Sequence, residues 1–145
     1  MNNPQLKALE PLVGRWRSSG RTVPGPFGPA VTISGTDTYE WLDNGFLVHH
    51  VDVLMGDQRV RVIELIGEHD PTDGTWAMRA FDGQGTFSTM RASVDAEGVF
   101  TFTDGTMRAT LTVADDGRTM SARWDRSDGG PGWQHWMDMS FVRAD

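Results

Sequence analysis

The stretch TISGTDTYEWLDNGFLVHHVDVLMGDQRVRVIEL, residues 32–65, holds two hairpin signals between runs rich in Val, Ile, Leu and aromatic residues. Asn44-Gly45 and Gly56-Asp57 are dipeptides that two-residue turns select, because such turns need backbone conformations that Gly, Asn and Asp tolerate. Around Gly56-Asp57, Val51, Val53, Val60 and Val62 recur at every second position. That is the period of a half-buried strand, not of a helix. The reading is therefore a β-meander, at least three strands long, with adjacent strands antiparallel.

The pattern extends outward in both directions. Further turn signals stand at Asp73-Gly74, Asp82-Gly83, Glu97-Gly98, Asp104-Gly105, Asp116-Gly117 and Gly129-Gly130-Pro131. They bound about ten strands, at 15–23, 31–42, 46–55, 58–68, 75–82, 85–94, 98–103, 106–114, 118–126 and 133–143. A sheet of that size with no covering helices must hide its edges and its apolar face, and closing into a barrel does both. Only residues 4–12 read as a helix, from Pro4 at a first turn and Leu6, Leu9 and Leu12 at helical spacing. The expectation is all-β: one domain over residues 1–145, an up-and-down antiparallel barrel from 14 to 143 with a short N-terminal helix across one end.

Composition narrows the function classes. The formal net charge of −7 argues against a nucleic-acid surface. Arg15, Arg17 and Arg21 alternate as a solvated outer face would. With no cysteine there is no disulfide frame and no thiolate metal site, which suits the cytoplasm. No apolar run reaches the roughly 20 residues that span a bilayer, and the first residues lack a signal-peptide pattern. There is no phosphate-binding Gly loop and no Gly-x-Ser-x-Gly elbow.

If both hairpins have two-residue turns, residue 43 pairs with 46 and 55 with 58. One face then collects Leu42, Leu47, Val51, Val53, Val60 and Val62 and reads as interior. The same face carries Glu40, His49 and Glu64 on neighbouring strands, three ionisable groups on an apolar wall. Burying them costs several kcal/mol unless they are paired, so they are the candidate catalytic residues for acid/base chemistry. Their oxygen and imidazole donors would also suit several divalent ions. The opposite face, with Asp37, Tyr39, Trp41 and an Asp52–Arg61 pair, reads as exterior. On the last strand Met137, Met139 and Phe141 alternate and are placed inside, with Met78, Met90, Met107 and Met120 as further lining. Pro24-Gly25-Pro26-Phe27-Gly28-Pro29 cannot form a strand and reads as a lid, with Phe27 touching a ligand.

Gly14-Arg15-Trp16 after a short helix, with Arg143 near the chain end, resembles the signature of lipocalins and other calycins. There a basic residue packs on the tryptophan of the first strand. Leu12–Trp16, Leu42–Leu47, Ile66–Pro71, Phe81–Gly85 and Met137–Arg143, in that order, are similar to a bacterial family of uncharacterised lipocalin-like domains. More distantly the chain resembles nitrobindins, ten-stranded haem barrels, which would imply haem b on a late-strand histidine; His135 is the candidate. The resemblance and the predicted interior together imply a binding barrel for a small apolar or amphipathic molecule, with no cofactor required. Acid/base catalysis, haem binding and a homodimer stay open as alternatives.

Overall fold

Closure follows from the register of the last strand on the first. In the computed structural model, which describes residues 1–26, 28–127 and 129–144, ten antiparallel strands form a closed barrel in sequence order, with β1 also beside β10. They are β1 (Gly14–Thr22), β2 (Thr32–Leu42), β3 (Phe46–Met55), β4 (Gln58–Asp70) and β5 (Thr75–Asp82). β6 (Phe87–Val94), β7 (Phe100–Thr103), β8 (Met107–Val113), β9 (Thr119–Arg126) and β10 (Gln134–Arg143) complete it. Turn chemistry and period-two alternation therefore locate the strands to within about two residues.

The N-terminal helix is 3-10, Lys7–Leu12, rather than α. Pro11 inside it can donate no hydrogen bond, and the chain takes the tighter i to i+3 pattern, Leu9 N–H to Leu6 and Val13 N–H to Glu10. Leu6, Leu9 and Leu12 are fully buried and seal one end of the barrel. Two indoles fasten this plug. Trp16 Nε1 donates to the Leu12 carbonyl at 2.9 Å, and Trp76 Nε1 to that of Gln5 at 2.8 Å.

Trp16 pairs directly with Arg143 across the β1–β10 seam. The guanidinium lies 4.2 Å above the indole centroid and also donates to the carbonyls of Val13 and Gly117. Gly14 stands where any side chain would collide with that guanidinium. The seam, the plug and the β8–β9 turn are thus held at one residue.

β4 and β7 depart from regular pairing. β4 bulges between Gly67 and Asp70, with Glu68 at φ 53. β7 is so short that only Arg91–Val94 of β6 find partners on it, leaving the first half of β6 without a ladder neighbour on that side.

Truncating Arg143→Ala removes a cation–π contact and two charge-assisted hydrogen bonds, and should destabilise the fold by about 2–4 kcal/mol. Urea unfolding of the variant checks this; a loss below about 1 kcal/mol would mean that the seam does not depend on Arg143.

Candidate functional site

The β2–β3 connection differs from the expected two-residue turn, and the difference rearranges the interior. Leu42 pairs with Phe46, so Asp43, Asn44 and Gly45 form a three-residue loop. Asp43 takes a left-handed conformation, φ 47, which Asp tolerates better than most residues, and Gly45 N–H closes on the Leu42 carbonyl. The extra residue moves β2 by one position against β3, which exchanges its two faces.

Glu40 consequently points outward, where it stands 3.6 Å from the half-buried His50. Leu42 is exposed as well. Asp37 and Tyr39, expected outside, are buried inside. The β3–β4 register is the expected one, with Met55 opposite Gln58 and His49 opposite Glu64. On that hairpin's outer face Asp52 faces Arg61 in register but pairs with Arg59, at 2.9 Å.

The ionisable group inside is therefore Asp37, His49 and Glu64. His49 Nε2 lies 2.6 Å from Asp37 Oδ2, and Nδ1 lies 3.0 Å from Glu64 Oε1. Ser18 Oγ donates to the other Asp37 oxygen. The Tyr39 ring stacks on the imidazole, 4.0 Å between centroids and 7° from parallel. One polar chain thus crosses four successive strands, β1 to β4. Burial pulls the His49 pKa down, but hydrogen bonds to Asp37 and Glu64 and the charges of both overcome it, raising it from 6.5 to about 9. Burial, then the charges of Asp37 and Glu64, hold the Tyr39 phenol well above its ordinary range, so it stays a neutral donor.

This geometry decides what the group can do. Both ring nitrogens of His49 face carboxylates and one ring face is covered by Tyr39, so neither N–H is free to pass a proton to a substrate. His49 is an internal cation that fixes two carboxylates. Glu64 has a second oxygen with no hydrogen bond among the described residues, and so has the Tyr39 phenol; both side chains line a cavity.

That cavity has a volume of about 230 Å³. Asp37, His49 and Glu64 form its polar wall, and Val51, Val53, Val60 and Val62 continue that side. Met137, Met139 and Phe141 line it from β10, and Met78 and Met90 from β5 and β6. Leu47 does not line it, although fully buried. Met120 is core without facing the cavity, and Met107 is half-buried away from it. A shallower surface pocket beside the unpaired half of β6 shares Met78 and Met90 with the central one. Phe27 lies outside the described residues.

Neither His135 nor His49 offers the cavity a haem ligand. A β-bulge at Trp136 breaks the alternation of β10, so His135 turns outward to Asp138 at 2.8 Å and does not line the cavity. Inside, His49 has no unengaged nitrogen. Among the described residues no group of three His, Asp or Glu is arranged to hold a metal ion, and no helix is long and apolar enough to cross a membrane.

Sequence reasoning missed Ser18, Asp37 and Tyr39. The signal for the latter two was present: Ile33, Tyr39 and Trp41 share one face of β2, whereas the alternate positions are Thr32, Ser34, Thr36, Thr38, Glu40 and Leu42. The apolar row names the inner face without any assumption about turn length.

No family model matches the chain, and no curated protein matches it. Solved structures similar over nearly its whole length include the following two. The crystal structure of Rv2717c from M. tuberculosis has a TM-score of 0.73 at 15% identity, with 98% of each chain covered. A de novo designed fluorescence-activating β-barrel has a TM-score of 0.52 at 15% identity, covering 94% of this chain and 97% of the design. At these identities the likeness is one of fold: a ten-stranded antiparallel barrel.

A histidine with a raised pKa in the folded state contributes stability that is complete below its unfolded value and is lost as pH rises through its folded one. For His49 the window runs from 6.5 to about 9, and the loss should be about 3 kcal/mol. Urea unfolding as a function of pH, with NMR titration of the ring, measures both. Glu64→Gln should lower the His49 titration and Glu40→Gln should leave it unmoved; the reverse pattern would refute the observed β2 register.

Proposed function

We propose that this chain is a small-molecule-binding barrel of lipocalin-like type, holding a mainly apolar ligand in its central cavity. The observation that carries the reading is the cavity itself: an unfilled, largely apolar interior with a few convergent polar groups at one wall, the usual make-up of a ligand site. A core built only for stability would be packed to crystal-like density. The designed barrel among its structural neighbours is described as fluorescence-activating, which supports this size of barrel as a host for a small molecule. The methionines on β5, β6 and β10 support the same reading, since thioether side chains adapt to the shape of what they touch. The ligand-contacting residues in this reading are His49, Val51, Val53, Val60, Val62, Met137, Met139 and Phe141, with Phe27 as a lid residue. No cofactor is required.

The test is to fill the cavity. Ala122 lines it from β9, so Ala122→Leu should reduce uptake of a small neutral fluorophore at least tenfold while costing no more than about 1–3 kcal/mol of stability. Uptake unchanged in a folded Ala122→Leu protein would place binding outside the barrel.

In the opposite direction, Met139→Ala enlarges the cavity. It should destabilise the empty protein by about 2 kcal/mol, the lower end for a buried Met because one side already faces a void. Recovery of that loss on saturation with the fluorophore, read by thermal unfolding, would mark Met139 as a cavity wall; a loss without recovery would mark it as core alone.

A further inference from the structure

The polar wall does more than make the cavity less apolar, because its charge is unbalanced. Asp37 and Glu64 bracket a single histidine. Even with that ring charged, two carboxylates around one cation leave one formal negative charge uncompensated. All three side chains are buried or nearly so. No Lys or Arg lines the cavity, so the barrel supplies no second cation. Buried charge without a partner is strongly unfavourable.

The hydrogen-bond inventory points the same way. Ser18 and both His49 nitrogens satisfy Asp37 and one oxygen of Glu64. What remains open toward the cavity is the second Glu64 oxygen, an acceptor that carries the charge, and the Tyr39 hydroxyl, which can accept as well as donate its one O–H. An ammonium group carries three donors and one positive charge. Set against Glu64, it would satisfy both acceptors and neutralise the wall. A carboxylate or phosphate ligand would double the imbalance.

Size and lining fix the rest of the ligand. An apolar cavity of roughly 150 Å³ holds one benzene; at about 230 Å³ this one holds a ring with a short chain. The rest of the lining carries Met78, Met90, Met137 and Met139 with Phe102 and Trp124, and sulfur and aromatic edges are favourable neighbours for an aromatic ring.

We propose that the cavity selects small primary amines with an aromatic body, the ammonium group against Glu64 and the ring among the methionines. This rests on the binding-barrel reading and names its ligand class. The test uses three probes of one size at pH 7 on the intact protein: 2-phenylethylamine, the neutral 2-phenylethanol and the anionic 3-phenylpropanoate. Binding is followed by NMR chemical-shift changes of the Met methyl groups. The expected result is that the amine binds at least tenfold more tightly than the alcohol, and that the propanoate does not bind. Glu64→Gln should remove the amine's advantage, bringing the amine and the alcohol to within about twofold of each other in that variant. If Glu64→Gln does not fold, contacts from the methylene beside the ammonium to Glu64 and Tyr39 protons in the wild-type complex provide the same information, and contacts confined to the methionine side overturn the proposal. Equal affinity for amine and alcohol overturns it too, as does uptake of the neutral fluorophore with no binding of the amine; either leaves the binding barrel standing. Failure of the fluorophore and all three probes to enter removes both readings.

Discussion

Whether β2 presents its odd- or its even-numbered residues to the interior is settled by Asp43, Asn44 and Gly45, and everything polar inside the molecule follows from that choice. A strand has only two faces, so a one-residue change in a turn is not a small displacement but an inversion. Here the inversion brings Asp37 and Tyr39 against His49 and turns Glu40 to solvent. Position 67 helps to hold the hairpin in place. A side-chain carbon there would stand 2.7 Å from the Phe46 ring, so Gly67 lets Phe46 lie flat across β4 beside the loop.

The resulting group is mutually dependent. His49 without both carboxylates would be a buried imidazole with orphaned nitrogens. The carboxylates without His49 would be two like charges in an apolar wall. Ser18, one of the small residues on the inner side of β1, satisfies the remaining Asp37 oxygen. Replacing such a network by apolar side chains often leaves stability the same or higher, so fold stability alone does not account for its presence. The network stands against a cavity and not within solid core.

Most of the architecture was legible because it depends on local chemistry repeated many times. Strand limits follow turn residues, and period two marks the inner faces of β3, β4 and the later part of β10. The Trp16–Arg143 seam follows from a two-residue signature at opposite ends of the chain. The parts that were not legible each hinge on a single extra residue: the third residue of the β2–β3 loop and the bulge at Trp136, which directs His135 outward. Asn-Gly favours a two-residue turn but does not compel one, and nothing in the local sequence around Trp136 announces a bulge. Leu47 shows a different limit. Its burial was readable from alternation, but whether a buried residue meets a cavity or solid packing depends on its height along the barrel.

The hydrogen-bonded chain from Ser18 through Asp37 and His49 to Glu64 occupies the consecutive strands β1 to β4, and the methionines line the cavity from β5, β6 and β10. The two halves of the cavity wall therefore differ in compliance. The charged half is cross-linked and can shift only as a unit, whereas each thioether turns about its own bonds at little cost. Beside Met90 the barrel also lacks a ladder, so the compliant half is the one whose backbone is least restrained. The interior has a fixed jaw and a moving jaw. For a ligand of the proposed kind, differences in size would be absorbed on the sulfur side, while the placement of its polar end would be dictated by the other.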